Sequence, residues 1–145
     1  DMPEHPKAVK SANAFLDWRD ANKIEPIDLE RIVFSRKHFY AGTCDGYGFI
    51  NGERCVWDYK TSSGLYVEAI LQCSGAYAMA LEEELDVKID ASWVIRLDKK
   101  TGRFYPYRIP FARSHRDAFV HVLNLHKTLN HIEDSLDGLR KQPKK

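Results

Sequence analysis

The chain has 145 residues, of which 43% are hydrophobic and 30% charged, and its formal net charge is +1. That length fits a single domain spanning residues 1–145, long enough to bury about two-thirds of its unfolded surface, and the composition is that of an ordinary globular protein. No apolar run approaches the roughly 20 residues that cross a bilayer, and no signal-peptide pattern opens the sequence, so no membrane partner is expected. Three scattered cysteines, Cys44, Cys55 and Cys73, argue against a disulfide framework and for a reducing, cytoplasmic setting. The near-zero net charge neither favours nor excludes nucleic acid, because steering depends on local patches more than on the total.

In chain order, apolar positions at Val9, Ala12, Phe15, Leu16 and Trp18 predict a helix from about Lys7 to Asn22, ended by Pro26. Ile32 to Phe34 begins a strand. Two further strands, about Phe39 to Ile50 and Arg54 to Tyr59, flank Asn51-Gly52. The polar run Thr61 to Gly64 is placed to cap a helix from roughly Tyr66 to Glu84. A second hairpin pairs Trp93–Leu97 with Phe104–Ile109. Ser114 with Asp117 three residues on has the form of a capping box for a last helix from about His115 to Leu139. The tail, residues 140–145, is expected to be disordered. The pattern predicts an α/β fold, a mixed central β-sheet flanked by helices.

The segment GTCDGYGFINGERCVWDYKTS, Gly42 to Ser62, carries the chemistry. Asn-Gly between alternating runs signals a two-residue hairpin, because both central residues take positive φ. If Ile50 faces Glu53, counting back places Tyr47 opposite Val56, Asp45 opposite Asp58 and Thr43 opposite Lys60. Side chains alternate with period two, so Asp45, Asp58 and Lys60 share one face while Cys55, Trp57 and Tyr59 point to the other. Like charges directly across two strands destabilise a sheet, and a divalent cation held by hard oxygen ligands would offset them.

These residues resemble the catalytic core of the PD-(D/E)XK nuclease superfamily, in its RecB-like exonuclease branch. That branch has a glutamate, a strand ending Gly-x-x-Asp, a strand ending Asp-x-Lys-Thr and a helix carrying a glutamine. The matching positions are Glu30 in LERIVF, Asp45 in GTCD, Asp58 and Lys60 in DYKT, and Gln72 in LQCSGAY. The resemblance runs over roughly Glu30 to Met79, about a third of the chain, in five ordered positions. Three features depart from the pattern. Tyr77 follows Gln72 by five residues where relatives have four; at roughly 100° per residue the two would sit roughly 140° apart on an α-helix, so Tyr77 is not carried over. His5 stands in no Gly-x-x-x-His context, and since the sequence opens on Asp1 an upstream segment is expected. The four cysteines of iron-sulfur relatives are not matched by Cys44, Cys55 and Cys73, so no cluster is expected.

The resemblance implies a restriction-endonuclease-like core and hydrolysis of DNA phosphodiesters in recombination, repair or phage DNA processing, most simply as an exonuclease in a bacterial or phage-infected cell. Asp45 and Asp58 would hold magnesium, with manganese as a substitute, together with the backbone carbonyl of Tyr59 and with Glu30 directly or through a water. Lys60 would orient or activate the water and offset developing charge; acting as a base would need a lowered pKa. Gln72 completes the catalytic set Glu30, Asp45, Asp58, Lys60 and Gln72.

Each assignment has an ordinary structural alternative. Asp58 and Lys60 could be a solvent-facing pair on an amphipathic strand, Glu25 could replace Glu30, and Gln72 could be a helix-surface residue. Thr61 and Ser62 read as caps, and Phe104, Tyr105 and Tyr107 as sheet packing. For contacts with DNA phosphates there are two basic patches: Arg96, Lys99, Lys100, Arg103, Arg108, Arg113 and Arg116 around the second hairpin and the last helix, and Arg36, Lys37 and His38 before the Asp45 strand. No HExxH or paired histidine spacing points to zinc. The competing functions are a nucleic-acid-binding module that has lost cleavage and a protein-interaction domain.

Overall fold

A computed structural model of the chain describes residues 5–143. The elements run α1 (Pro6–Ala21), β1 (Ile24–Ser35), β2 (Tyr40–Ile50), β3 (Glu53–Lys60), α2 (Val67–Ile70), a π-helical segment (Leu71–Tyr77), α3 (Ala78–Leu85), β4 (Ala91–Leu97), β5 (Phe104–Pro110) and α4 (Arg113–Arg140). The strands form one sheet in the order β1-β2-β3-β4-β5. The β3–β4 pair is parallel and the others antiparallel. A parallel neighbour needs a crossover, and α2, the π-helical segment and α3 supply it. The fold is therefore α/β, a mixed sheet flanked by helices.

The hairpin register is the one the sequence predicts, up to Gly46. Asn51 and Gly52 both have positive φ, 52° and 81°, and Ile50 pairs with Glu53, Tyr47 with Val56 and Gly46 with Trp57. Trp57 fixes the residue opposite it, because a Cβ on Gly46 would lie 2.0 Å from the indole. Pairing of β2 with β3 then stops. The expected Asp45–Asp58 and Thr43–Lys60 pairs do not form, since β2 turns toward β1 alone beyond Gly46. Cys44 and Tyr47, an odd number of residues apart, both enter the core under the helices, so the two-residue alternation breaks at Asp45–Gly46. On β1 the break is matched at Glu30, whose φ is 50°.

One face of the sheet packs Val33, Cys44, Val56 and Val94 against the crossover helices, with Cys73 and Leu81 fully buried. The other face packs Cys55, Trp57, Trp93 and Ile95 against Phe15 and Trp18 of α1. Burying side chains of this size contributes about 1.5–3 kcal/mol each. Phe104 packs edge-on against Phe15 and tilted against Trp18, while Tyr105 and Tyr107 lie parallel at 6.2 Å, which is sheet packing as expected.

Three local features differ from expectation. Pro26 does not merely end α1; it lies within β1, an edge strand where a missing N–H is tolerated, beside a register shift between Pro26 and Asp28. Thr61 to Gly64 does not cap α2, whose N-cap is Tyr66 without a side-chain bond; Ser62 bonds the Gly64 carbonyl instead. The capping box is absent, because α4 starts at Arg113 with Ala112 as its N-cap, which puts Ser114 inside the first turn. Of the tail expected to be disordered, Arg140 ends α4 and Lys144 and Lys145 lie outside the described residues.

Candidate active site

The site forms where β2 and β3 part company. Freed from the ladder, Asp45 swings its carboxylate to the strand end and accepts the Tyr59 N–H at 2.7 Å. Asp58, one residue back on β3, is only 5% exposed. Lys60 donates to Asp58 Oδ2 at 2.6 Å and to Gln72 Oε1 at 2.6 Å, tying the end of β3 to the crossover helix. Asp45, Asp58, Lys60 and Gln72 thus make one connected polar cluster. Tyr59 lies between them in the strand, paired with Ile95, its ring turned to the opposite face against Phe15.

Two carboxylates meet here, and the electrostatics register it. Burial, then the adjacent Asp45 carboxylate, push the Asp58 carboxyl up from 3.8 to about 6, against the opposing pull of Lys60.

Glu30 does not join them. Its place in the β1–β2 register is level with Asp45, between the Leu29–Gly46 and Arg31–Cys44 pairs, but its side chain is exposed and makes no hydrogen bond or ion pair among the described residues. The positive φ at Glu30 is where the strand breaks alternation. Glu25 is no substitute, being level with Phe49 near the hairpin turn and paired with Lys23. Among the described residues, no three His, Cys, Asp or Glu side chains are arranged to hold a metal ion. Asp45 and Asp58 are two hard-oxygen donors, the type that magnesium favours, and they are present as a pair rather than as a triad.

Tyr77, which the α-helical spacing sets apart from Gln72, lies on the same side of the helix. Leu71–Tyr77 is π-helical rather than α-helical. With i→i+5 hydrogen bonding, residues five apart fall roughly one turn apart and near the same face. Gln72 and Tyr77 accordingly line one cavity of about 410 Å³ with Tyr40, Glu68 and Phe119. Burial first and then the charge of Asp58 raise the Tyr77 hydroxyl's pKa, so it stays a protonated donor. Gln72 also borders a second cavity of about 330 Å³, lined as well by Lys60, Ser62, Tyr66 and Glu68. Glu68 is a residue that the sequence reading misses; its position four residues before Gln72 is the available signal.

The second-hairpin patch is largely dispersed. Arg108 is held bidentately by Glu53 at 2.9 and 2.6 Å. Arg96 is buried, bonds the Ser62 carbonyl at 3.0 Å and stacks over Tyr105. Arg116 is paired with Glu82.

No family model matches the chain, and no curated protein matches it. Among solved structures it is similar to a chain described as the crystal structure of SSO0001, with 17% identity and a TM-score of 0.46 over 86% of this chain. The match spans 61% of that chain, and a likeness at this level carries no functional argument. Among the described residues no helix is long and apolar enough to cross a membrane.

Proposed function

We propose that this protein is a metal-dependent deoxyribonuclease of the PD-(D/E)XK kind. What supports the reading is one observation: Asp45, Asp58, Lys60 and Gln72, drawn from three elements, converge at the open end of β3 in hydrogen-bonding contact. Asp45 and Asp58 would hold a magnesium or manganese ion, which when bound would supply positive charge at the scissile phosphate and acidify water. Lys60, anchored by Gln72, would direct its ammonium at the attacked phosphate and offset the charge that grows there. Gln72 acts through Lys60, fixing the position of the amine. DNA is the proposed substrate and exonucleolytic attack the proposed mode.

The exposed position of Glu30 favours a second reading, a nucleic-acid-binding or protein-interaction module on the same fold without cleavage. One experiment separates them. End-labelled linear DNA and circular DNA are incubated with the protein in magnesium, manganese or chelator. Metal-dependent loss of linear DNA from its ends supports the exonuclease, and cutting of circles an endonuclease. Retardation without cleavage in either metal establishes the binding module.

A further inference from the structure

Two basic stretches about eighty residues apart in sequence meet across α4. Lys37 and His38 from the β1–β2 turn, with Arg113, Arg116 and His121 from α4, line a cavity of about 490 Å³ in which Asp117 is the only acidic group among the described residues. We propose that this cavity is a phosphate-binding subsite that anchors a DNA strand away from the cut; the proposal rests on the nuclease reading above.

The walls are fixed in advance. Glu83 accepts the Ser35 hydroxyl at 2.7 Å and the Arg36 and Lys37 N–H groups at 2.8 and 3.1 Å, which sets the shape of the turn that carries Lys37. Lys127 clamps the same turn to α4 through the His38 carbonyl at 2.6 Å. Arg116 is held by Glu82 and lies over the Phe111 ring at 4.5 Å, so its guanidinium is positioned in the wall from two sides. Lys37 makes no ion pair among the described residues, and Arg113 has only a loose contact of 3.9 Å to Asp117. Two cations therefore remain uncommitted beside a cavity whose other side chains add donors. That arrangement suits a phosphodiester, whose negative charge needs neither burial nor a single fixed geometry.

The placement says how the subsite would be used. The cavity beside Gln72 and Tyr77 touches α4 at Phe119, Val122 and Leu123, and the basic cavity touches it at Arg113, Arg116, Asp117, Val120 and His121. At roughly 100° per residue these are different flanks of one helix. A strand held at Gln72 would have to pass from one flank of α4 to the other, a helix about 10–12 Å wide with its side chains, to reach the basic cavity. The anchor therefore serves long substrates and cannot be reached by a dinucleotide. α4 lies close to the crossover helix because Gly75 has no side chain; a Cβ there would stand 2.9 Å from Phe119.

The test is the double variant Lys37→Ala/Arg113→Ala, which touches none of Asp45, Asp58, Lys60 or Gln72. DNA binding is measured against salt with a 30-nucleotide strand and a 30-base-pair duplex, and cleavage with the 30-mer and a dinucleotide. Losing two phosphate contacts should weaken binding severalfold and make log K against log salt shallower by about 1.4 for the strand and 1.8 for the duplex. Dinucleotide cleavage should be unchanged. Unaltered affinity and slope overturn the anchor, as does the same loss from Lys99→Ala/Lys100→Ala on the β4–β5 turn. Inorganic phosphate titrated at constant ionic strength forms a last arm. Binding that disappears in the double variant while DNA affinity stays the same would assign the cavity to a free anion and overturn the proposal. If neither protein cleaves the 30-mer, the nuclease reading fails, and the binding data still decide the subsite.

Discussion

Replacing Asp45 with asparagine should stabilise the metal-free protein, and the structure sets the size. The Asp58 carboxyl is raised from 3.8 to about 6 by burial first and Asp45 second, opposed by Lys60. That shift of about two units corresponds to roughly 3 kcal/mol in total; burial, its first cause, persists in the variant, so removing the Asp45 charge should return only part of it, on the order of 1 kcal/mol. The carboxamide oxygen introduced by Asp45→Asn can still accept the Tyr59 N–H, so the substitution removes the charge and keeps the bond. A raised carboxyl holds its proton in the folded chain where the unfolded chain has released it. The penalty is absent below about pH 4, accumulates as the pH rises through about 6 and is constant above that. In chelator at pH 8 the variant should melt about 3–4 °C above wild type, with the gap closing toward pH 4. Magnesium at a hundred times its Kd should stabilise wild type by about 2.7 kcal/mol and the variant much less. Differential scanning fluorimetry across pH and magnesium measures both. A variant that melts below wild type at pH 8 and gains equally from magnesium would refute the shared cation site.

Other substitutions test separate links. Lys60→Ala should leave magnesium affinity by calorimetry equal or tighter while lowering the rate of the chemical step, whereas Asp58→Asn should weaken magnesium binding; the same effect from both would remove the distinction between ligand and activator. Gln72→Ala deletes a hydrogen bond to the Lys60 ammonium, worth about 1.5–3 kcal/mol, so kcat should fall roughly 10- to 100-fold with KM little changed, and an unchanged kcat would place Gln72 outside the site. Gly46→Ala drives a methyl into the Trp57 indole and should cost about 1–3 kcal/mol in urea unfolding, with no loss meaning that Trp57 is free to move.

Much of this is legible in the sequence because its causes are local. Asn51-Gly52 sets the turn, the turn sets the register, and the register sends Trp57 and Asp58 to opposite faces. The features that escape such a reading depend on contacts made elsewhere. The break at Asp45–Gly46 arises because β1 carries a matching irregularity at Glu30, and neither strand announces it alone. Nothing in Leu71–Tyr77 marks its turn as π rather than α, and α4 packs closely over Gly75, so the five-residue interval from Gln72 to Tyr77 has the look of a mismatch and is a shared face. Ser114 and Asp117 have the form of a cap, but Ala112 already leaves the strand in an extended conformation and the helix begins ahead of them. The basic residues near the second hairpin are close in sequence and not in function, since Arg108 and Arg116 find acidic partners on other elements.

The central claim is that Asp45, Asp58 and Lys60 form a site for metal-dependent phosphodiester hydrolysis. Single-turnover cleavage of end-labelled linear DNA, with wild type and Asp58→Asn side by side in magnesium and in chelator, tests it most directly. Cleavage by wild type in magnesium alone, lost in Asp58→Asn while the variant stays folded, is the predicted result. Undiminished cleavage by Asp58→Asn, or cleavage by wild type that persists in chelator, would contradict the account.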